Sequence, residues 1–287
     1  MSLPDDLSLR DATLDDLGAI AALRESVDWT VHEWALRLVI ERTGARCVVA
    51  TDPEGTVVAV GSGIVYGPLG FVGNMIVSAG QRRRGLGSAI LEAVLRFLED
   101  AGCTRLELNA TSDGRPLYER HGFRSIGRSS AAAFHTSAGL TRDPSITPRR
   151  AGPADLDALA DYDRPRFGGD RRALLDALLT DEAAAILMAE RDGALCGYGC
   201  VRSDTPRLGP LVAEEPSVAE TLLVDALELL PPATVVRLSL PPNNRTGAAW
   251  LRRIGAVVEP WDGRMARGEP LPKREETIYG MTVGALG

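Results

Sequence analysis

Lysine is almost absent from this chain: Lys273 is the only one among 32 basic residues. That bias reads as genomic base composition and carries no functional message. Histidine is scarce as well. His32, His121 and His135 are the only three, they show no ligand spacing, and no metal is expected. The four cysteines, Cys47, Cys103, Cys196 and Cys200, include no C-x-x-C pair, so they read as reduced structural thiols. Cys196 and Cys200 fall in one expected strand at a spacing that points them the same way. No apolar run reaches the roughly 18 residues of a membrane-spanning helix. The acidic opening MSLPDDLSLRDA lacks the apolar stretch of a secretion signal, and a cytoplasmic location is expected. A formal charge of −7 argues against nucleic acid as the main partner. It is compatible with a cationic amine substrate, and solubility accounts for it equally well.

What is present suffices for a sizeable core. The chain has 287 residues, 45% of them hydrophobic, which suggests two domains. The expected division is a first domain over 1–138, a linker over 139–148 rich in Ser, Thr and Pro, and a second domain over 149–287. The fold class expected for both is α/β with a mixed sheet.

The stretch from Phe71 to Phe123 organises the rest. An apolar run, Phe71 to Val77, reads as a buried strand. A polar turn follows with Gln81, Arg82, Arg83, Arg84, Gly85, Leu86 and Gly87. Leu86, Ile90, Leu91, Val94, Leu95 and Leu98 then recur at helical spacing. A strand, a basic turn with glycines and a helix start aim unpaired N–H groups at one spot, where the positive end of the helix dipole also lies. Arginines beside such a helix start make a phosphate site, and the glycines let a bulky anion come close to the backbone. A P-loop would need Gly-Lys-Ser/Thr here, and it is missing. A dinucleotide fold would need a third small residue where Ile90 stands.

Arg82-x-x-Gly85-x-Gly87 resembles the pyrophosphate loop of the GCN5-related N-acetyltransferases (GNAT), whose pattern is Gln/Arg-x-x-Gly-x-Gly/Ala. The order downstream resembles that family too: a strand ending in Asn109, a short helix with Tyr118, then His121-Gly122-Phe123. The resemblance spans most of residues 7 to 135. It implies that Arg82, Arg83, Arg84, Gly85, Leu86, Gly87 and Ser88 hold the pyrophosphate of acetyl-CoA. It implies that backbone groups of Met75, Ile76 and Val77 pair with the pantetheine arm, and that Asn109 can bond a pantetheine amide. Tyr118 stands where the family keeps the acid that protonates the departing thiolate. The helix pair after the first strand overhangs the acceptor site in the family. Trp29 and Glu33 are therefore acceptor candidates, with His32 and Trp34 read more readily as surface and core. Asn74 lies where many members carry a glutamate base. An amide is no useful base, so a water relay or a carboxylate such as Glu33 would have to serve. The implied reaction is direct transfer, in a ternary complex, of an acetyl group from acetyl-CoA to the primary amine of a small molecule. Two other readings stay open: a coenzyme A-binding sensor without catalysis, and transfer to a protein N-terminus or lysine. Oligomerisation is possible.

The second half echoes the first. Thr147 to Ala160 repeats the plan of Ser8 to Ala21, a strand, a capped acidic turn and an apolar helix. Strands are expected near Ala184–Glu190, Cys196–Ser203, Leu208–Val212 and Val235–Leu240, the last followed by Asn243-Asn244 and a helix through Trp250. After Leu208-Gly-Pro-Leu-Val212, however, come Glu214 and Glu215 with neither a glycine pair nor an arginine. The resemblance is therefore to tandem acetyltransferases with one live and one degenerate copy. Trp250, Trp261, Arg264 and Met265 are candidates for an acceptor wall or interface, with ordinary core the simpler role.

Overall fold

The computed structural model describes residues 6–135, 140–232, 234–242 and 244–287. The chain forms two compact units. The first comprises the described residues up to Ser125, with Met265–Pro270 and Gly284–Gly287; the second comprises Ile126–Arg264 and Leu271–Val283.

In the first unit β1 (Ser8–Asp11) leads into α1 (Leu17–Glu25) and α2 (Glu33–Glu41). Then come β2 (Ala45–Thr51), β3 (Val57–Tyr66), β4 (Leu69–Val77), α3 (Leu86–Asp100), β5 (Arg105–Asn109) and α4 (Arg115–Arg120). Strands β1 to β4 are antiparallel neighbours, and β5 runs parallel to β4, as a strand-helix-strand connection requires. The turn before α1 is fixed by Asp16, which accepts the Thr13 N–H at 2.8 Å and a two-pronged bond from Arg10, both prongs 2.7 Å.

Helix α3 buries the whole predicted apolar stripe, Leu86, Ile90, Leu91, Val94, Leu95 and Leu98. Each such side chain contributes about 1.5–3 kcal/mol by leaving water. The glycines of β3 serve this packing: a Cβ on Gly61 would lie 2.6 Å from Met75 Sδ, and one on Gly63 2.9 Å from a Val94 methyl. Between the pairs Val60↔Ile76 and Ser62↔Gly73, one residue of β3 opposes two of β4. This bulge puts Asn74 at φ +54° and sends Asn74 and Met75 to opposite faces of the sheet. Pairing between β4 and β5 ends at Val72↔Leu108, so the two strands part where the bulge begins.

The second unit repeats the plan. It contains β6 (Arg124–His135, from Ile126 on), β7 (Thr147–Arg150), α5 (Leu156–Phe167), α6 (Arg172–Thr180), β8 (Ala184–Arg191) and β9 (Ala194–Arg202). It continues with β10 (Arg207–Ala213), α7 (Pro216–Glu228), β11 (Val235–Leu240), α8 (Arg245–Arg253), β12 (Val257–Arg267, up to Arg264) and β13 (Ile278–Gly280). Arg149 and Asp155 reproduce the pairing of Arg10 with Asp16, at 2.8 and 3.0 Å.

The compact units do not follow the expected boundaries at 138 and 149. β6 belongs with the second unit because Ser130–His135 pairs antiparallel with Val235–Leu240. The first unit recovers a neighbour for β5 from β12, whose residues from Met265 onward count with it. Met265 is fully buried in that unit's core, and the Arg267 guanidinium lies 5.6 Å from the Phe123 ring centre. Trp250 is core in the second unit, edge-on to Tyr279, and Arg264 is buried. Asn243 lies outside the described residues.

Cys196 and Cys200 do not face the same way. A bulge in β9, opposite Ala189/Glu190, turns Cys196 into the α7-side core with Leu187 and Val218. Cys200 is buried and pairs with Ile186 on the other face.

Candidate active site

The basic turn after β4 runs straight into a helix start. After a single helical turn at Ala79–Gln81, Arg82 is extended, Arg83 has φ +63° and Gly85 φ +92°. Helix α3 begins at Leu86, so the N–H groups of Leu86, Gly87 and Ser88 have no acceptor within the helix. Arg82 Nε donates to the Val77 carbonyl at 3.2 Å, tying the turn to the end of β4.

A cavity of about 600 Å³ runs from this turn into the unit. Its walls are Arg82, Arg83 and Gly85 to Ser88 at one end, then Met75, Ile76 and Val77 along β4, and Leu117 and Tyr118 from α4. Ser26, Val27 and Trp29 close the side nearest α1. Thus eleven of the residues that the sequence singles out, counting Trp29, share one cavity. Tyr118 lies edge-on to Phe123, ring centres 6.1 Å apart. A Cβ on Gly114 would come within 3.1 Å of the Tyr118 ring, so glycine makes room for it. The tyrosine is 5% exposed, and this burial pushes its phenol well above its usual value. It stays protonated throughout the neutral range.

Four singled-out residues do not line the cavity. Arg84 is engaged by Gln81 and, at 2.6 Å, by Asp6. Asn109 donates through Nδ2 to the Gly284 carbonyl at 2.9 Å. Glu33 is exposed and paired with Arg37 one turn on. Asn74 is buried and faces α1, where its Oδ1 accepts from Arg24 Nη1 at 2.5 Å while its Nδ2 donates to Ser62 Oγ at 2.9 Å. Conversely, Ser26, Val27, Thr111, Ser112, Asp113, Gly114, Leu117 and Arg120 line the cavity without having been singled out. Residues 111–114 join Asn109 to α4, so the loop's place between two motif residues was the available signal.

The corresponding region of the second unit is arranged differently. β10 and β11 pair only at Arg207↔Arg237. Beyond that point β13 pairs with β10, Leu211↔Gly280 and Val212↔Ile278, and the Met281 N–H donates to the Ser239 carbonyl at 2.7 Å. Glu214 and Glu215 precede α7. Glu214 is held by Arg166 and Arg274, and Glu215 by Arg191. Arginines do reach this turn, but from other elements, and they are spent on its carboxylates. Among the described residues no cluster of His, Cys, Asp or Glu could hold a metal ion, and no helix is long and apolar enough to cross a membrane.

Two family models match the chain: the acetyltransferase (GNAT) family over residues 12–123, and an acetyltransferase (GNAT) domain over residues 159–280. An uncharacterised N-acetyltransferase of Bacillus subtilis, YitH, is 29% identical over 196 residues, 67% of each chain. Among solved structures, a Pyrococcus horikoshii protein assigned to the acetyltransferases is 22% identical, covers 100% of this chain and 98% of its own, and superposes with a TM-score of 0.84. A tandem GNAT protein from the clavulanic acid biosynthesis pathway is 16% identical with a TM-score of 0.64, over 92% of this chain and 99% of its own. At these identities the structural likeness speaks for the fold alone.

Proposed function

Because the chain belongs to the GNAT family of acetyltransferases and carries two such domains in tandem, we propose that its first copy moves an acetyl group from acetyl-CoA to the primary amine of a small molecule, both reactants being bound at once. The observation that carries this reading is the single cavity joining the phosphate-binding turn to Tyr118. The residues present fit the coenzyme. Free N–H groups at the start of α3, with Arg82 and Arg83 beside them, suit a pyrophosphate. The main chain of Met75 to Val77 borders the gap left where β4 and β5 part, and suits an extended arm with amide groups. Acetyl-CoA supplies the activated acyl group. The protein's share is to hold that group and the amine in line, which removes much of the entropic barrier, and to keep a proton on Tyr118 for the departing thiolate.

No carboxylate takes the place of a base on β4. Asn74 is committed to Arg24 and Ser62, and Glu33 stands outside the cavity, paired with Arg37. This leaves water, or Asp113 on the cavity wall, to take the amine proton. The second copy has no room for the coenzyme in our reading, because β13 lies where the pantetheine arm would go and Glu214 and Glu215 stand where the pyrophosphate would. Turnover of a broad amine panel with acetyl-CoA, in wild type and in Tyr118→Phe, tests the proposal. Acetylation that the variant loses while still binding acetyl-CoA is expected. Binding without turnover of any amine would leave a coenzyme A-binding module.

A further inference from the structure

Arg24, in the last turn of α1, is a buried cation with no counter-ion among the described residues. It is 8% exposed. Its partners are neutral: Nε and Nη2 donate to the Thr30 carbonyl at 3.2 and 2.7 Å, and Nη1 to Asn74 Oδ1 at 2.5 Å. Ser62 of β3, to which Asn74 donates, is neutral as well. The nearest carboxylates in sequence, Glu25 and Asp28, are exposed, and no described residue forms an ion pair with Arg24. Burial draws its pKa down with no carboxylate to offset the effect. A guanidinium has five N–H donors; three are used, leaving one on each Nη. Buried cations are ordinarily paired because an unpaired one is costly.

The position of this charge points to what completes it. The guanidinium lies 5.6 Å from the centre of the Trp29 ring and is bonded to the residue preceding Met75. Trp29 lines the cavity, as do Ser26 and Val27, which follow Arg24 in the chain; Met75 lines it from the α3 face, and Arg24 itself is not on the wall. The bulge separates this face from the α3 face, where the basic turn lies. Arg24 therefore belongs to the acceptor end and not to the pyrophosphate end. We propose that the acceptor amine carries a carboxylate, which takes the two open N–H groups of Arg24. A planar carboxylate suits a forked guanidinium, and it would supply the charge that the protein omits. This rests on the acetyl-transfer reading above.

The test compares matched acceptors: alanine, phenylalanine and β-alanine against ethylamine, phenethylamine and the amide of β-alanine, each with acetyl-CoA. Binding of the N-acetylated products to the coenzyme A-loaded protein is measured by calorimetry alongside turnover. Wild type is expected to favour the acid by tenfold or more in at least one set, in kcat/KM or in product affinity. Arg24→Met should bring that ratio to within about threefold of one. Ser26→Glu, at an exposed position on the cavity wall, supplies a resident carboxylate and should lower the ratio even if Arg24→Met fails to fold. A role confined to holding Asn74 and Thr30 would slow acids and neutral amines alike and leave the ratio unchanged. Ratios near one throughout in wild type, or a ratio untouched by both variants, overturn the inference. Efficient acetylation of neutral amines with such ratios would overturn it alone. Failure of acetyl-CoA to bind would sink the acetyl-transfer reading along with it.

Discussion

Ala285 lies directly against Gly73 of β4: a Cβ on that glycine would fall 2.8 Å from the Ala285 Cα. Backbone cannot swing aside as a side-chain tip can. Gly73→Ala is therefore expected to cost about 1–3 kcal/mol, the usual range for overpacking. The second unit has its own version, since a Cβ on Gly209 would sit 2.9 Å from the Met281 carbonyl carbon. Gly209→Ala should destabilise comparably. Gly18→Ala, in α1 with nothing within 4 Å, should instead stabilise by roughly 0.5–1 kcal/mol. Urea unfolding of the three variants checks this.

Tyr118→Phe is expected to lower kcat by about 100-fold or more. The ring and its packing on Phe123 are kept, so acetyl-CoA affinity and the melting temperature should change little. Burial raises the phenol's pKa, so the acid form persists above its ordinary value of about 10. Wild-type kcat should then show no fall from loss of this proton up to about pH 10. A decline centred near pH 8 in wild type and absent from the variant would contradict the assignment.

The Arg10–Asp16 pair ties stability to pH. Asp16 is held down to about 2, chiefly by its hydrogen bonds from Arg10. A depressed carboxyl contributes stability that is present above its unfolded value, near 3.9, and is lost as pH falls through the folded one. Arg10 is 43% exposed, so solvent screening reduces the effect to about 1 kcal/mol. Asp16→Asn should lose this at pH 7, and its difference from wild type should shrink between pH 4 and pH 2 in acid-unfolding curves.

All four thiols should react slowly in the native protein. Each is buried, and burial pushes Cys47 and Cys200 up to about 12 and Cys103 to about 11. At pH 8 the thiolate fraction of Cys103 would be roughly one thousandth. A thiol reagent should find four equivalents in denaturant and essentially none within minutes before it. A fast equivalent in the folded state would contradict this packing.

The sequence made local features legible and hid distant ones. The turn from Arg82 to Gly87, α3 and the helix bearing Tyr118 are encoded in adjacent residues, and all three border one cavity. The repeated start of the second copy was equally readable, down to Arg149 and Asp155. No periodicity could reveal that Ile278–Gly280 pairs with β10, that Gly284 meets Asn109, or that β6 pairs with β11, because these join segments far apart in the chain. Arg24 is hidden in the sequence for a similar reason. A cation in the last turn of a helix reads as a partner for the helix dipole, and only the fold places it beside Asn74.

The central claim is one coenzyme site per chain, at the turn before α3. Calorimetric titration of acetyl-CoA into wild type and into the double variant Arg82→Glu/Gly87→Glu tests it most directly. The prediction is one site per chain in wild type and no measurable binding in the variant, which keeps the wild-type circular dichroism spectrum. Two sites per chain, binding that survives in the variant, or no binding to wild type would contradict the account.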